Sequence, residues 1–122
     1  MGFLKEVNVK YDMPDADTAI RRVTYAIRTG AAMGASAVKL IHGYGSSGKG
    51  GRIRTETRRY LAEQKRKGYI QDFIAGEDFT IFNPAALSAF RVCDELRRDE
   101  DLERHNNGVT FVILCDAGKN KF

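Results

Sequence analysis

Lys39-Leu-Ile-His42-Gly-Tyr-Gly-Ser-Ser-Gly-Lys-Gly-Gly-Arg52 is the stretch that decides how this chain is read. It is preceded by Ala37-Val38, so a short, mostly apolar strand ends at His42 and passes directly into a glycine-rich loop. Glycines reach backbone conformations closed to other residues and leave their N–H groups free to face an anion. The loop then feeds the N-terminus of a helix, whose positive end favours the same kind of ligand. A buried strand, a phosphate-gripping loop and a basic helix follow one another within about thirty residues, as in a strand–crossover unit.

Working outward, Val7-Asn-Val-Lys10 alternates apolar and polar residues as a half-buried first strand does. Asp15 and Asp17 offer an N-cap and a first-turn acid to a helix. Ala16, Ala19, Ile20, Val23, Ile27 and Ala31 form its apolar stripe, and it stops near Gly34. The second helix is expected over residues 52–67, with Ile53, Tyr60 and Leu61 inward and Gly68 as its stop. A third strand is expected over 69–74, with 79–82 as a short extension. Asn83-Pro84 predicts a capped start to a further helix near 84–98, whose apolar face is Ala86, Ala89, Phe90, Cys93 and Leu96. Val109-Thr-Phe-Val-Ile-Leu114 reads as a strand buried on both faces. The order β-α-β-α-β-(α)-β predicts an α/β sandwich, mostly parallel on these patterns alone, in one domain over residues 1–122 with a flexible tail at 116–122.

The chain has 122 residues, 43% hydrophobic and 30% charged, with a net charge of +4. No apolar run approaches the roughly 18 residues of a membrane span. Cys93 and Cys115 read as buried, reduced thiols suited to the cytoplasm. Between Lys49 and Lys67 stand eight basic residues and two acids, so this stretch carries +6 and the rest of the chain −2. A solvated helix face is the ordinary meaning of such a run; a basic field behind a glycine loop points to a polyanion.

Three phosphate-binding readings compete for the loop. Gly43-Tyr-Gly45-Ser-Ser-Gly48 spells a dinucleotide fingerprint, but it opens the second crossover, and Asp72 falls within the next strand rather than at its tip. Gly43 to Lys49 also fits the loop of nucleoside triphosphatases, but Gly50 stands where a Ser or Thr would ligate magnesium. The third reading uses His42, placed at a strand tip to donate to a phosphodiester oxygen or to move a proton. Its plain alternative is a histidine satisfied within the fold.

Lys39-Leu-Ile-His42-Gly-Tyr-Gly45, the basic opening Arg52-Ile-Arg54 and the closing Asn107-Gly108-Val-Thr-Phe-Val-Ile-Leu114 resemble the small MutS-related (Smr) domain. The resemblance covers about residues 7–75 and 107–115. It implies a two-layer sandwich with a mixed four-stranded sheet, like the C-terminal domain of a bacterial translation initiation factor, with the last strand central and antiparallel. It further implies nucleic-acid binding and, in many members, endonucleolytic cleavage of DNA or RNA. His42, Gly43 and Gly45 then belong to the active or binding loop, and Lys49, Arg52 and Arg54 to the phosphate contacts. The family usually has Leu-Asp-Leu-His-Gly in the first strand; here Asn8 replaces the carboxylate and Lys10 the histidine. The third helix stands out as an insertion.

The function expected is a cytoplasmic nucleic-acid-binding domain in which Lys10, Lys49, Arg52, Arg54, Arg58 and Arg59 neutralise backbone, with Tyr44 stacking on a base or packing on the second helix. In a cleaving version His42 is acid or base and Lys10 steadies the transition-state anion, with a divalent metal, magnesium or manganese, as the cofactor left open. No cysteine–histidine spacing marks a zinc site. A non-catalytic ribosome- or RNA-associated adaptor and a mononucleotide-binding protein remain the alternatives.

Overall fold

A computed structural model describes residues 2–44 and 49–114. Its elements are β1 (Leu4–Asn8), α1 (Ala16–Ala32), β2 (Ala37–Ile41), α2 (Lys49–Arg66), β3 (Asp72–Ala75), α3 (Pro84–Val92) and β4 (Val109–Ile113). Short 3-10 turns at Gly76–Asp78 and Asp94–Arg98 flank α3. The sheet order is β1-β2-β4-β3. β1 runs parallel to β2, while β4 lies antiparallel to both of its neighbours. The mostly parallel sheet read from local patterns therefore gives way to a mixed one. The central antiparallel β4 is the arrangement the family resemblance implied.

Helix ends follow local chemistry. Asp15 caps α1 by accepting a 2.8 Å hydrogen bond from the Thr18 N–H. Asn83 caps α3 through the Ala85 N–H, with Pro84 in the first turn where its missing N–H costs nothing. Gly68, at φ 81°, ends α2, and the Tyr69 N–H closes back onto the Gln64 carbonyl.

β4 separates two apolar layers. Val38, Leu40, Val112 and Leu114 meet Val23, Ile27 and Leu61 of α1 and α2 on one face. Ala37, Val109, Phe111 and Ile113 meet Phe79, Ala86, Phe90, Cys93 and Leu96 on the other. The first two helices and the sheet make the expected two-layer sandwich, and the extra helix covers the opposite face. Sandwiched this way, all five residues of β4 are buried.

Three local expectations change. The third strand begins at Asp72 rather than at position 69. Residues 79–82 form a turn, not a strand extension: Phe79 is fully buried, while Ile81 and Phe82 are turned outward. The helix expected to reach 98 stops at Val92, because Cys93 is extended (φ −141°, ψ 99°) and breaks it from the turn that follows.

The face shared with α3 buries a lysine. Lys39, in the middle of β2, is 1% exposed; its Nζ lies 3.0 Å from Asp99 and 2.6 Å from Asp101, with Glu6 at 3.8 Å. Burial opposes the ammonium, but its hydrogen bonds to the two aspartates outweigh that and leave its pKa raised. Asp101 also accepts a hydrogen bond from Asn106 Nδ2 at 2.9 Å. The segment between β3 and β4 is thus tied to the sheet at the middle of β2.

Candidate functional site

Because β1 and β2 are parallel and β4 is antiparallel to β2, the chain leaving β1, the chain leaving β2 and the chain entering β4 meet at one end of the sheet. The Val9 N–H bonds the Ile41 carbonyl at 2.9 Å, and the N–H groups of His42 and Gly43 both bond the Gly108 carbonyl at 3.0 Å. Two glycines permit this approach. A Cβ on Gly43, whose φ is 78°, would sit 3.0 Å from Cδ of Lys10, so the Lys10 stem lies across it. A Cβ on Gly108 would sit 3.0 Å from Cδ1 of Tyr44.

His42 is completely buried. Nδ1 lies 2.8 Å from the Gly43 carbonyl and Nε2 2.7 Å from the Thr110 hydroxyl. A carbonyl only accepts, so Nδ1 carries the proton and Nε2 accepts from Thr110. Burial pushes the imidazole down to about 4, assisted by the positive charges of Arg58 and Arg54 and opposed by the Gly43 bond. The ring is neutral at neutral pH.

Thr110 links it to a second pair. Its hydroxyl accepts from Arg58 Nε at 3.1 Å, and the Arg58 guanidinium closes a two-pronged contact on Glu77 at 2.7 and 2.8 Å. Arg58 also reaches the carbonyl of Val109 at 3.3 Å. Glu77 keeps its charge: burial would raise its pKa, but Arg58 outweighs this and lowers it. A continuous run, Glu77–Arg58–Thr110–His42–Gly43, therefore pins the root of the glycine loop from below. Thr110 and Glu77 were not among the residues singled out from sequence. The one polar residue inside Val109-Thr-Phe-Val-Ile-Leu114 was the signal for Thr110; Glu77 left none.

The other expected site residues divide by exposure. Lys10, Tyr44, Arg52 and Arg59 are exposed and Arg54 is half-buried. The charge of Arg54 is felt at His42 and Glu77, and that of Arg52 at Asp15 at the start of α1. Arg59 pairs at the surface with Glu56 at 3.2 Å. Arg58 is the exception, turned into the network rather than outward. Asn8, where the family places a carboxylate, accepts the Lys10 N–H at 2.9 Å. Gly45, the side chain of Lys49 and the tail with Cys115 lie outside the described residues. Cys93 is a buried free thiol whose pKa burial raises.

Beside Tyr44 the surface opens into a groove of about 550 Å³, bounded by Glu100, Asp101, Arg104, His105, Asn106 and Asn107. Among the described residues, no helix is long and apolar enough to cross a membrane.

The fold matches that of the Smr domain of Thermus thermophilus MutS2 with a TM-score of 0.57 at 22% identity, over 91% of this chain and 98% of that one. No protein-family model and no curated protein sequence matches the chain. The chain has an Smr-like fold.

Proposed function

From the Smr-like fold, we propose that this chain binds nucleic acid by gripping phosphodiester backbone where β1 and β2 end. The observation that carries the reading is the Lys10 stem lying across Gly43, together with the basic segment 49–67 that follows the glycine loop and holds a net +6. Lys10, Arg52, Arg54 and Arg59 supply the phosphate contacts, and Gly45 and Lys49 belong to the same grip by their place in the motif. Arg58 holds the loop rather than the ligand.

Binding is better supported than cleavage. Both nitrogens of His42 are engaged, its ring is shielded from solvent, and its pKa near 4 keeps it from being an imidazolium acid at neutral pH. Lys10 replaces the family's first-strand histidine as a phosphate clamp, not as a base.

The test is binding of labelled single- and double-stranded DNA and RNA across a salt series. Five phosphate contacts give a slope of log K against log salt of roughly −3.5 on single strands and −4.5 on duplex. Absence of binding at low salt, or binding indifferent to salt, overturns the proposal. A parallel arm with magnesium or manganese reads cleavage; cutting that disappears in His42→Ala would restore the catalytic version.

A further inference from the structure

We propose that the groove beside Tyr44 is a base-recognition subsite, taking one unstacked nucleobase of a single-stranded polynucleotide whose phosphate lies at Lys10 and Gly43. This rests on the nucleic-acid reading above and deepens it, from a grip on backbone to a preference for strands whose bases are free.

The groove differs in character from the grip next to it. The glycine loop and α2 are basic, whereas the groove is bounded by Glu100 and Asp101 along with Arg104, His105 and two asparagines. A carboxylate beside the path of the backbone repels phosphate, but it accepts well from the exocyclic amines of bases. Asp101 is committed to Lys39 and Asn106. Glu100 is exposed and has no hydrogen-bond or ion-pair partner among the described residues, so it is the acceptor available to a ligand.

Tyr44 supplies the stacking surface. Its Cδ1 lies close against Gly108, and the residue is 59% exposed. An aromatic ring that is fixed yet open loses little freedom when a base covers it, and it serves any base because every base has a π face. Tyr44 follows Gly43 directly, so the residue under the Lys10 stem and the stacking residue are neighbours in the chain. A paired base could not leave its stack to enter the groove without opening the duplex, so the subsite selects single strands.

The experiment uses the whole chain and fluorescence anisotropy with labelled twelve-nucleotide oligo(dC), oligo(dA) and oligo(dT), oligo(dC) with abasic sites, and a duplex. Tyr44→Ala is expected to weaken single-strand binding by about 5- to 100-fold, while Tyr44→Phe retains it. Abasic substrate should bind wild type as weakly as intact oligo(dC) binds Tyr44→Ala, and should be indifferent to that substitution. Duplex affinity and the salt slope should stay unchanged in Tyr44→Ala. Oligo(dC) and oligo(dA), which carry amines, should bind more tightly than oligo(dT), and Glu100→Gln should narrow that gap. Equal losses on single strand, abasic strand and duplex, or no loss on any, would overturn the subsite and leave the backbone grip standing. Failure of wild type to bind any of them defeats the nucleic-acid reading itself, and the subsite with it.

Discussion

Residues 49–67 set eight basic side chains against two acids, whereas residues 76–105 set eight acids against four arginines. The two regions hold their charge differently. Along α2 the ion pairs lie at the surface: Arg59 with Glu56 and Arg66 with Glu63, both one turn apart, with the arginines 71% and 68% exposed. Such pairs contribute about 0–1 kcal/mol and leave the cations open to other anions. In the acidic segment, Asp99 and Asp101 are drawn inward onto a lysine that is 1% exposed. The pairs within α2 leave their cations at the surface, whereas Asp99 and Asp101 attach the segment between β3 and β4 to the sheet.

Cutting the buried attachment should have the largest effect. Lys39→Met leaves two poorly solvated carboxylates without their cation, and it is expected to cost about 3–5 kcal/mol at neutral pH by urea unfolding. The deficit should shrink on acidification, because Asp101, no longer held low by the ammonium, can then take up a proton. Adding Asp99→Asn and Asp101→Asn should recover much of the loss, since a buried ion cluster replaced as a whole is often nearly neutral. If Lys39→Met unfolds at the wild-type midpoint, the contrast between the two regions fails.

The second effect is on pH. The folded pKa of His42 lies near 4, below the usual 6.5. The unfolded chain therefore binds the proton more readily, so the stabilisation is fully present above about 6.5 and is lost as pH falls toward 4. The shift corresponds to about 3 kcal/mol across that window. Stability measured by denaturant from pH 7 to pH 4 should show this fall, and His42→Asn should remove most of its slope.

Arg58 tests where the two regions meet, because it is a cation of α2 bound to an acid of the segment between β3 and β4. Arg58→Met strips Glu77 and Thr110 of their partner. With Glu77 still 37% exposed, the expected cost is about 2 kcal/mol. The salt slope of binding should not change, whereas a phosphate contact at Arg58 would lower it by about 0.9 on duplex.

These contrasts also explain how far the sequence could be read. β2, the glycine loop, β4 and the helix caps announce themselves through local rules, such as an apolar run, Asn83-Pro84 and Gly68. The central antiparallel position of β4 came from resemblance to a family, since local patterns carry no strand order. Lys39 looked like the polar interruption of an apolar strand because its aspartates lie sixty positions away in sequence. His42 and Arg58 were judged by residue type, and only their three-dimensional partners, Thr110 and Glu77, show that they face inward. Phe79-Thr-Ile-Phe82 alternates as a strand does, yet a buried Phe79 and an outward Phe82 fit a turn equally well.

The smallest effect on stability is expected where the effect on binding is clear. Arg59 is exposed and its one ion pair spans a single helical turn, so Arg59→Ala should change unfolding free energy by no more than about 0.5 kcal/mol. Its guanidinium lies on the basic face proposed to meet the phosphates. The same substitution should therefore weaken duplex binding at low salt and reduce the salt slope by about 0.9, without altering discrimination among oligo(dC), oligo(dA) and oligo(dT). Tyr44→Ala should do the reverse, lowering single-strand affinity at an unchanged slope. Two substitutions with opposite signatures would separate backbone grip from base recognition. If Arg59→Ala instead destabilises the fold and leaves the slope alone, the exposed face of α2 belongs with Arg58 to the scaffold, and the phosphate path must be sought along Lys10, Arg52 and Arg54 alone.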